Sequence, residues 1–212
     1  MRVMIPIALF FDLDGTLVDS ERYHWRAWQA TLQPLNVDLP WQVYQKEGIG
    51  HPDPVILRRL TQGISNAALL DHTHILQMKE KHFIRIIRGE DPISKEVREL
   101  LQEIRERPLA VVTSSPRREA AALLECAAVS WAFRTVVCLE DVRSHKPDPE
   151  PYRMAMERLQ VKKGIAFEDS ESGMASARSA GLEVVCVSIP SELPELVRAR
   201  LTIPRSEIRN SR

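Results

Sequence analysis

The segment Phe10-Phe11-Asp12-Leu13-Asp14-Gly15-Thr16-Leu17-Val18-Asp19-Ser20 sets two carboxylates, Asp12 and Asp14, at the end of an apolar run. Burying an isolated carboxylate is costly. A pair at this place calls for a compensating cation, and carboxylate oxygens are what hard divalent ions such as magnesium prefer. A solvated turn built on Asp and Gly is the plain alternative. Three further segments bear on the choice. Leu109-Ala110-Val111-Val112-Thr113-Ser114-Ser115 is an apolar run that ends in hydroxyls. Ser144-His145-Lys146-Pro147-Asp148-Pro149 puts an ammonium just before a helix start. Ile165-Ala166-Phe167-Glu168-Asp169-Ser170-Glu171-Ser172-Gly173 is an apolar run ending in two acids. Each has its own plain reading: Thr113 as a helix cap, Lys146 as a surface charge, Glu168 and Asp169 as an acidic helix start that complements the dipole. Taken together they bring a carboxylate nucleophile, a hydroxyl, an ammonium and further acids to strand ends of one sheet.

Those ends need a sheet behind them. Residues 7–13 read as a strand buried on both faces, Gly15 as a turn, and Ser20 as the cap of a helix that runs through Trp25 and Trp28 to about Leu35. From 21 to 92 the pattern is helical, with Leu57, Leu60, Leu69, Leu70, Ile75, Met78, Phe83, Ile84 and Ile87 at helical spacings and an end at Asp91-Pro92. Beyond it, strands at 109–113, 136–139, 165–167 and 183–188 alternate with helices at 94–107, 116–126, 149–159, 170–180 and 192–201. Gly181 stops the helix before it. The alternation implies an α/β fold: a Rossmann-like, doubly wound parallel sheet with helices on both faces. Such sheets bind ligands at the carboxyl ends of their strands, where the strand order reverses. The tail 202–212 is polar and reads as frayed.

In this order, the four segments resemble motifs one to four of the haloacid-dehalogenase-like hydrolase superfamily, over nearly the whole chain. The helical stretch after the first motif resembles that superfamily's small helical cap. Ser20-Glu21-Arg22-Tyr23-His24-Trp25-Arg26-Ala27-Trp28 is similar to the first cap segment of the beta-phosphoglucomutase-like subgroup, which includes sugar phosphatases. The resemblance implies a catalytic core of residues 1–20 and 93–212 with an inserted α-helical cap of residues 21–92. It implies Asp12 as the nucleophile that forms an aspartyl phosphate, and Asp14 as the acid that protonates the leaving oxygen and then takes a proton back. Thr113 and the backbone N–H of Ser114 would hold phosphoryl oxygens, and Lys146 would neutralise charge. Magnesium (Mg2+) would be held by Asp12, Asp169, Glu168 and the backbone carbonyl of Asp14. These groups stabilise charge on the equatorial oxygens of the transferred group.

The cap is expected to set substrate choice. Lys46, the loop Gly48-Ile49-Gly50-His51, and Lys79 fall where the resemblance places a specificity loop and a cap lysine. His24 and Trp28 are further candidates to touch substrate, with helix packing as the plain reading of both. His51 stands where the mutases of the subgroup have an arginine that grips a second phosphate. Glu47 beside Lys46 weakens such a site further, and Gly15-Thr16-Leu17 has the form common in phosphatases. Asp14 separates the chain from dehalogenases, because a halide needs no proton. The reading is a magnesium-dependent phosphatase of a small phosphorylated metabolite, a sugar phosphate above others. A beta-phosphoglucomutase-like phosphomutase is the alternative. A non-catalytic binding module on the same fold is opposed by the complete set Asp12, Asp14, Thr113, Lys146 and Asp169.

Bulk properties narrow the classes further. The 212 residues suffice for a core with a small insert. Lys and Arg number 29, as do Asp and Glu, so the zero net charge speaks against nucleic acid held by bulk charge. No apolar stretch is long enough to span a membrane. The run at 3–11 is short, ends in Asp12 and lacks a small-residue cleavage site, so it reads as a strand rather than a signal peptide. A cytoplasmic protein is the expectation, with a monomer favoured. Cys126, Cys138 and Cys186 have no metal-ligand spacing and read as buried small hydrophobes. His72 and His74 read as surface residues.

Overall fold

The computed structural model describes residues 7–62 and 70–201. The start of the opening apolar run, Leu69 and the polar tail lie outside the described residues. Within them, β1 (Ala8–Phe11) is buried at every position, as is β2 (Leu109–Val112). Uninterrupted apolar runs of this kind belong to parallel strands covered on both faces. With β3 (Thr135–Val137), β4 (Gly164–Glu168) and β5 (Glu183–Cys186) they form a parallel sheet of order β3-β2-β1-β4-β5. The chain moves outward from β1 through β2 to β3, then returns to the other side of β1. The order therefore reverses between β1 and β4, and that reversal is where the crevice opens. Phe11 pairs with both Val111 and Phe167, so Asp12 and Glu168 leave the sheet side by side.

Successive strand residues face opposite layers. Leu9, Phe11, Val111, Phe167 and Val185 pack on one face, with α5 (Lys95–Glu103), α6 (Arg117–Cys126) and α9 (Leu193–Leu201). Phe10, Ala110, Val112 and Ala166 pack on the other, with α7 (Glu150–Leu159) and α8 (Glu171–Ser179). Each fully buried Phe, Val or Leu is worth about 1.5–3 kcal/mol relative to exposure. The expected helix at 94–107 is shorter, ending at Glu103. Ser94 does cap it, accepting from the Val97 N–H at 3.2 Å.

Between β1 and β2 lie α1 (Glu21–Leu32), α2 (Trp41–Glu47), α3 (Asp53–Leu60) and α4 (His72–Ile87). They have a core of their own, built on Trp28, Leu32, Leu39, Tyr44, Ile56, Leu57 and Ile75. Ala27, Phe83 and Ile87 instead join the core under the sheet. The first helix stops at Leu32 rather than Leu35. Pro34, which has no N–H to continue an α-helix, stands in a short 3-10 turn that follows. Ser20 occupies the cap position of α1 but makes no capping bond. Its hydroxyl is used elsewhere, as shown below. Cys138 is buried and Cys126 half-buried, but Cys186 is exposed, against expectation, because β5 is an edge strand. No helix among the described residues is long and apolar enough to cross a membrane.

Candidate active site

Asp12 follows β1 directly. Its N–H still pairs with the Phe167 carbonyl at 3.0 Å, so the backbone is held while the side chain enters the crevice. Lys146 arrives from the segment before α7, after which Pro147 follows through a cis peptide bond. Its ammonium is 2.5 Å from Asp12 Oδ1, 2.5 Å from Glu168 Oε1 and 2.9 Å from the Val112 carbonyl. All three N–H groups are used, which fixes the lysine against the end of the sheet. Glu168 ends β4 fully buried. Its Oε1 also accepts from the Tyr152 hydroxyl at 2.6 Å, and Oε2 from Ser170 at 3.2 Å. Asp169, next along, is exposed.

Carboxylate oxygens of Asp12, Glu168 and Asp169 all lie within 4.8 Å of one another. Burial pushes the Asp12 carboxyl well above its ordinary range, opposed by Lys146 and reinforced by Glu168, Asp169 and Asp14. Burial and the Glu168 charge raise Asp169 to about 6. Three acids facing one ammonium leave an excess of negative charge. An all-oxygen donor set of this kind suits a hard divalent cation. Two glycines make room for the acids. Gly15 has φ +79°, and a Cβ there would strike the Asp169 carboxylate; a Cβ at Gly173 would strike that of Glu168.

Asp14 sits in a separate cradle. Its Oδ1 accepts from Ser20 Oγ at 2.5 Å and from His24 Nε2 at 3.2 Å. Its Oδ2 accepts from Ser115 Oγ at 2.5 Å and lies 3.4 Å from Thr113 Oγ1. Burial alone would raise the Asp14 carboxyl. The hydrogen bonds from His24, Ser115 and Ser20 outweigh it and hold the group well below the usual carboxylate range. Asp14's carboxylate thus stands apart from the three-acid group, so any part it takes in holding a cation falls to its backbone carbonyl. Thr113 is buried at the end of β2, its hydroxyl accepting from the Ser115 N–H at 3.0 Å; Ser114 between them is exposed.

The structure thus brings together Asp12, Asp14, Thr113, Lys146, Glu168, Asp169 and His24. The remaining residues of the helical insert differ from expectation. Lys79 is fully buried, and its ammonium is taken by Asp53 at 2.7 Å, Glu119 at 3.0 Å and His24 Nδ1 at 2.9 Å, not left open for substrate. Trp28 is fully buried and donates from Nε1 to Asp53 at 3.2 Å, so it lines no open cavity. Lys46 is exposed beside Glu47 at 3.5 Å, and His51 is exposed after α2; neither contacts the groups around Asp12. Sequence reasoning missed the partners: Ser20 and Ser115 on Asp14, Tyr152 on Glu168, and Asp53 and Glu119 on Lys79. Only Glu119 left a signal, an acid flanking the apolar stripe Ala120, Leu123 and Leu124 of α6.

Fold and site define a doubly wound α/β enzyme that gathers acids, an ammonium and hydroxyls at its switch point. Residues 9–187 match the haloacid dehalogenase-like hydrolases, and the chain belongs to that family. The phosphorylated carbohydrates phosphatase of Thermotoga maritima is 32% identical over 185 residues, 83% of this chain and 82% of the relative. The fructose-1-phosphate phosphatase YqaB of Escherichia coli is 30% identical over 189 residues, 85% and 96% of the two chains. The crystal structure of CbbY from Rhodobacter sphaeroides in complex with phosphate superposes with a TM-score of 0.77 at 25% identity, covering 86% of each chain. The chain is a hydrolase, and the phosphatases among its relatives put it with the phosphoric monoester hydrolases.

Proposed function

We propose that this enzyme is a magnesium-dependent phosphatase that hydrolyses a small phosphorylated metabolite, in particular a sugar phosphate, through an aspartyl phosphate on Asp12. The observation that carries the reading is the division of labour between two acids. Asp12 stands with Lys146, Glu168 and Asp169, while Asp14 two residues on is held separately by Ser20, His24 and Ser115. Relatives named for phosphorylated carbohydrates and fructose 1-phosphate support the substrate class.

On this reading an Asp12 oxygen attacks phosphorus, the bond to the leaving oxygen breaks, and Asp14 gives that oxygen its proton. Water then attacks the same phosphorus, gives its proton to Asp14, and the Asp12–phosphorus bond breaks. Asp14 is a carboxylate in the cradle described, and an approaching phosphate dianion raises its affinity for the proton it must donate. The Thr113 hydroxyl and the Ser114 N–H hold phosphoryl oxygens, and Lys146 neutralises charge on Asp12. Asp12, Asp169, Glu168 and the Asp14 carbonyl would hold the magnesium. When bound, it offsets the repulsion between Asp12 and the phosphate dianion. Residues 21–92 act as a cap over a core of residues 1–20 and 93–212.

The test is phosphate release from a panel of sugar monophosphates, sugar bisphosphates and nucleotides with magnesium, run beside an isomerisation assay on beta-glucose 1-phosphate. Hydrolysis of sugar monophosphates, abolished by chelation, is expected. Fast isomerisation with little phosphate release would establish the mutase instead. A flat panel would leave only a binding module.

A further inference from the structure

Behind Asp14 lies a cluster of charged groups centred on Lys79. Lys79 lies on α4, Asp53 begins α3, His24 is on α1 and Glu119 is on α6. The Lys79 ammonium has three N–H groups and three acceptors: Asp53 Oδ2 at 2.7 Å, the Glu119 carboxylate at 3.0 and 3.1 Å, and His24 Nδ1 at 2.9 Å. An ammonium cannot accept, so His24 receives at Nδ1 and presents an Nε2 N–H to Asp14, 3.2 Å away. Asp53 is closed off as well, since its other oxygen takes the Trp28 N–H. Lys79 and Glu119 are buried to the last one per cent. Burial works against the Lys79 charge, and the Asp53 and Glu119 carboxylates more than restore it. Counted formally, one ammonium faces two carboxylates, an excess of one negative charge, a single imidazole away from Asp14.

We propose that Glu119, together with Asp53, is a specificity-determining residue. By occupying the Lys79 ammonium it denies the cleft a cation for a second anionic group, and so favours phosphomonoesters of neutral sugars or polyols over bisphosphates and phosphorylated acids. This rests on the phosphatase reading above and narrows it. The cluster is joined to Asp14 through the His24 imidazole, so its charge acts on whatever part of the substrate extends past Asp14 toward the helical insert. A neutral hydroxylated remnant loses nothing near a net negative charge, whereas a second phosphate is repelled. Glu119 acts through Lys79 and is a positioning residue rather than a catalytic one.

The experiment compares the wild type, Glu119→Gln and Asp53→Asn on fructose 1-phosphate and fructose 1,6-bisphosphate with magnesium. Each variant removes one negative charge and keeps an oxygen that accepts from Lys79. Removing one like charge near a phosphate is expected to shift the ratio of kcat/KM toward the bisphosphate by about tenfold. The shift should lie in KM for the bisphosphate, with its kcat and the monophosphate KM little moved. Calorimetric Kd values for the bisphosphate, measured without magnesium, should tighten in parallel. Thermal unfolding checks that each variant is folded; if Glu119→Gln is not, Asp53→Asn decides. Equal losses on both substrates, or a change in kcat alone, would reduce the cluster to packing and overturn the proposal. Wild-type hydrolysis of the monophosphate with an unmoved ratio overturns this inference alone. No phosphate release from either ester by the wild type overturns the phosphatase reading with it.

Discussion

Asp12 and Asp14 show how two identical side chains, two positions apart, come to differ. Asp12 is crowded by acids and held by one ammonium, whereas Asp14 is surrounded by donors. The difference makes a kinetic prediction. Asp14→Asn should lower turnover of a sugar phosphate by roughly 10²–10⁴-fold, the usual worth of positioned acid–base catalysis. In the first step, read as the burst of nitrophenolate, the loss should be much smaller for p-nitrophenyl phosphate, whose leaving group needs no proton; equal losses in that step would remove Asp14 from protonating the leaving oxygen. Three of the four segments carrying these residues were legible because each is an apolar run broken by charge or hydroxyl, and the fourth because it sets Lys146 just before a helix start. Their partners were not. Nothing in sequence says that Ser20 turns from capping α1 to Asp14, or that Tyr152 on α7 reaches Glu168, because both depend on side-chain direction after packing.

At the level of elements, the strands were readable as short apolar runs alternating with helices, whereas their order β3-β2-β1-β4-β5 was not, because pairing joins segments distant in the chain. β3 and β5 were harder to bound because they are edge strands, where one side of the ladder is missing and exposed residues such as Glu183 and Cys186 intrude. Two element-scale predictions follow from close contacts. Gly173→Ala drives a methyl into the Glu168 carboxylate at the start of α8, which should cost about 1–3 kcal/mol of stability by overpacking and reduce activity more than stability. Denaturant melts with kinetics on the folded fraction check this. The second prediction concerns Asp141, which joins α6 to α7. It accepts from Arg117 at 2.5 Å, from Arg158 at 2.8 Å and from the Cys138 N–H at 2.8 Å. Burial opposes its charge, but Arg158 and the Cys138 N–H prevail and hold its carboxyl below its ordinary 3.8. A depressed folded-state value means stability that is present above the unfolded value and lost as pH falls through the folded one. Asp141→Asn should therefore cost about 1–2 kcal/mol near pH 7 and flatten the loss of stability below pH 4, as read from melts across pH.

Across the whole molecule, the helical insert has its own core but is tied to the sheet by a buried charge cluster running from Asp14 through His24 and Lys79 to Glu119. The family resemblance singled out Lys79 as a lysine of the insert but could not show that α1, α3, α4 and α6 converge on it. That convergence is a matter of helix packing across positions 24, 53, 79 and 119. Lys79→Met leaves the buried Glu119 and the half-buried Asp53 without their cation and should destabilise the protein by about 3–5 kcal/mol, seen as a lowered denaturation midpoint. A change near zero would mean the insert is held by apolar contacts alone. The site that this frame supports has one defining claim, that Asp12 becomes covalently phosphorylated. Borohydride reduction of enzyme acid-quenched during turnover of a sugar phosphate, followed by peptide mass spectrometry, tests it directly. Homoserine at position 12, absent without substrate, is the result predicted. Efficient turnover with Asp12 unmodified, or an acyl phosphate on another residue, would contradict it.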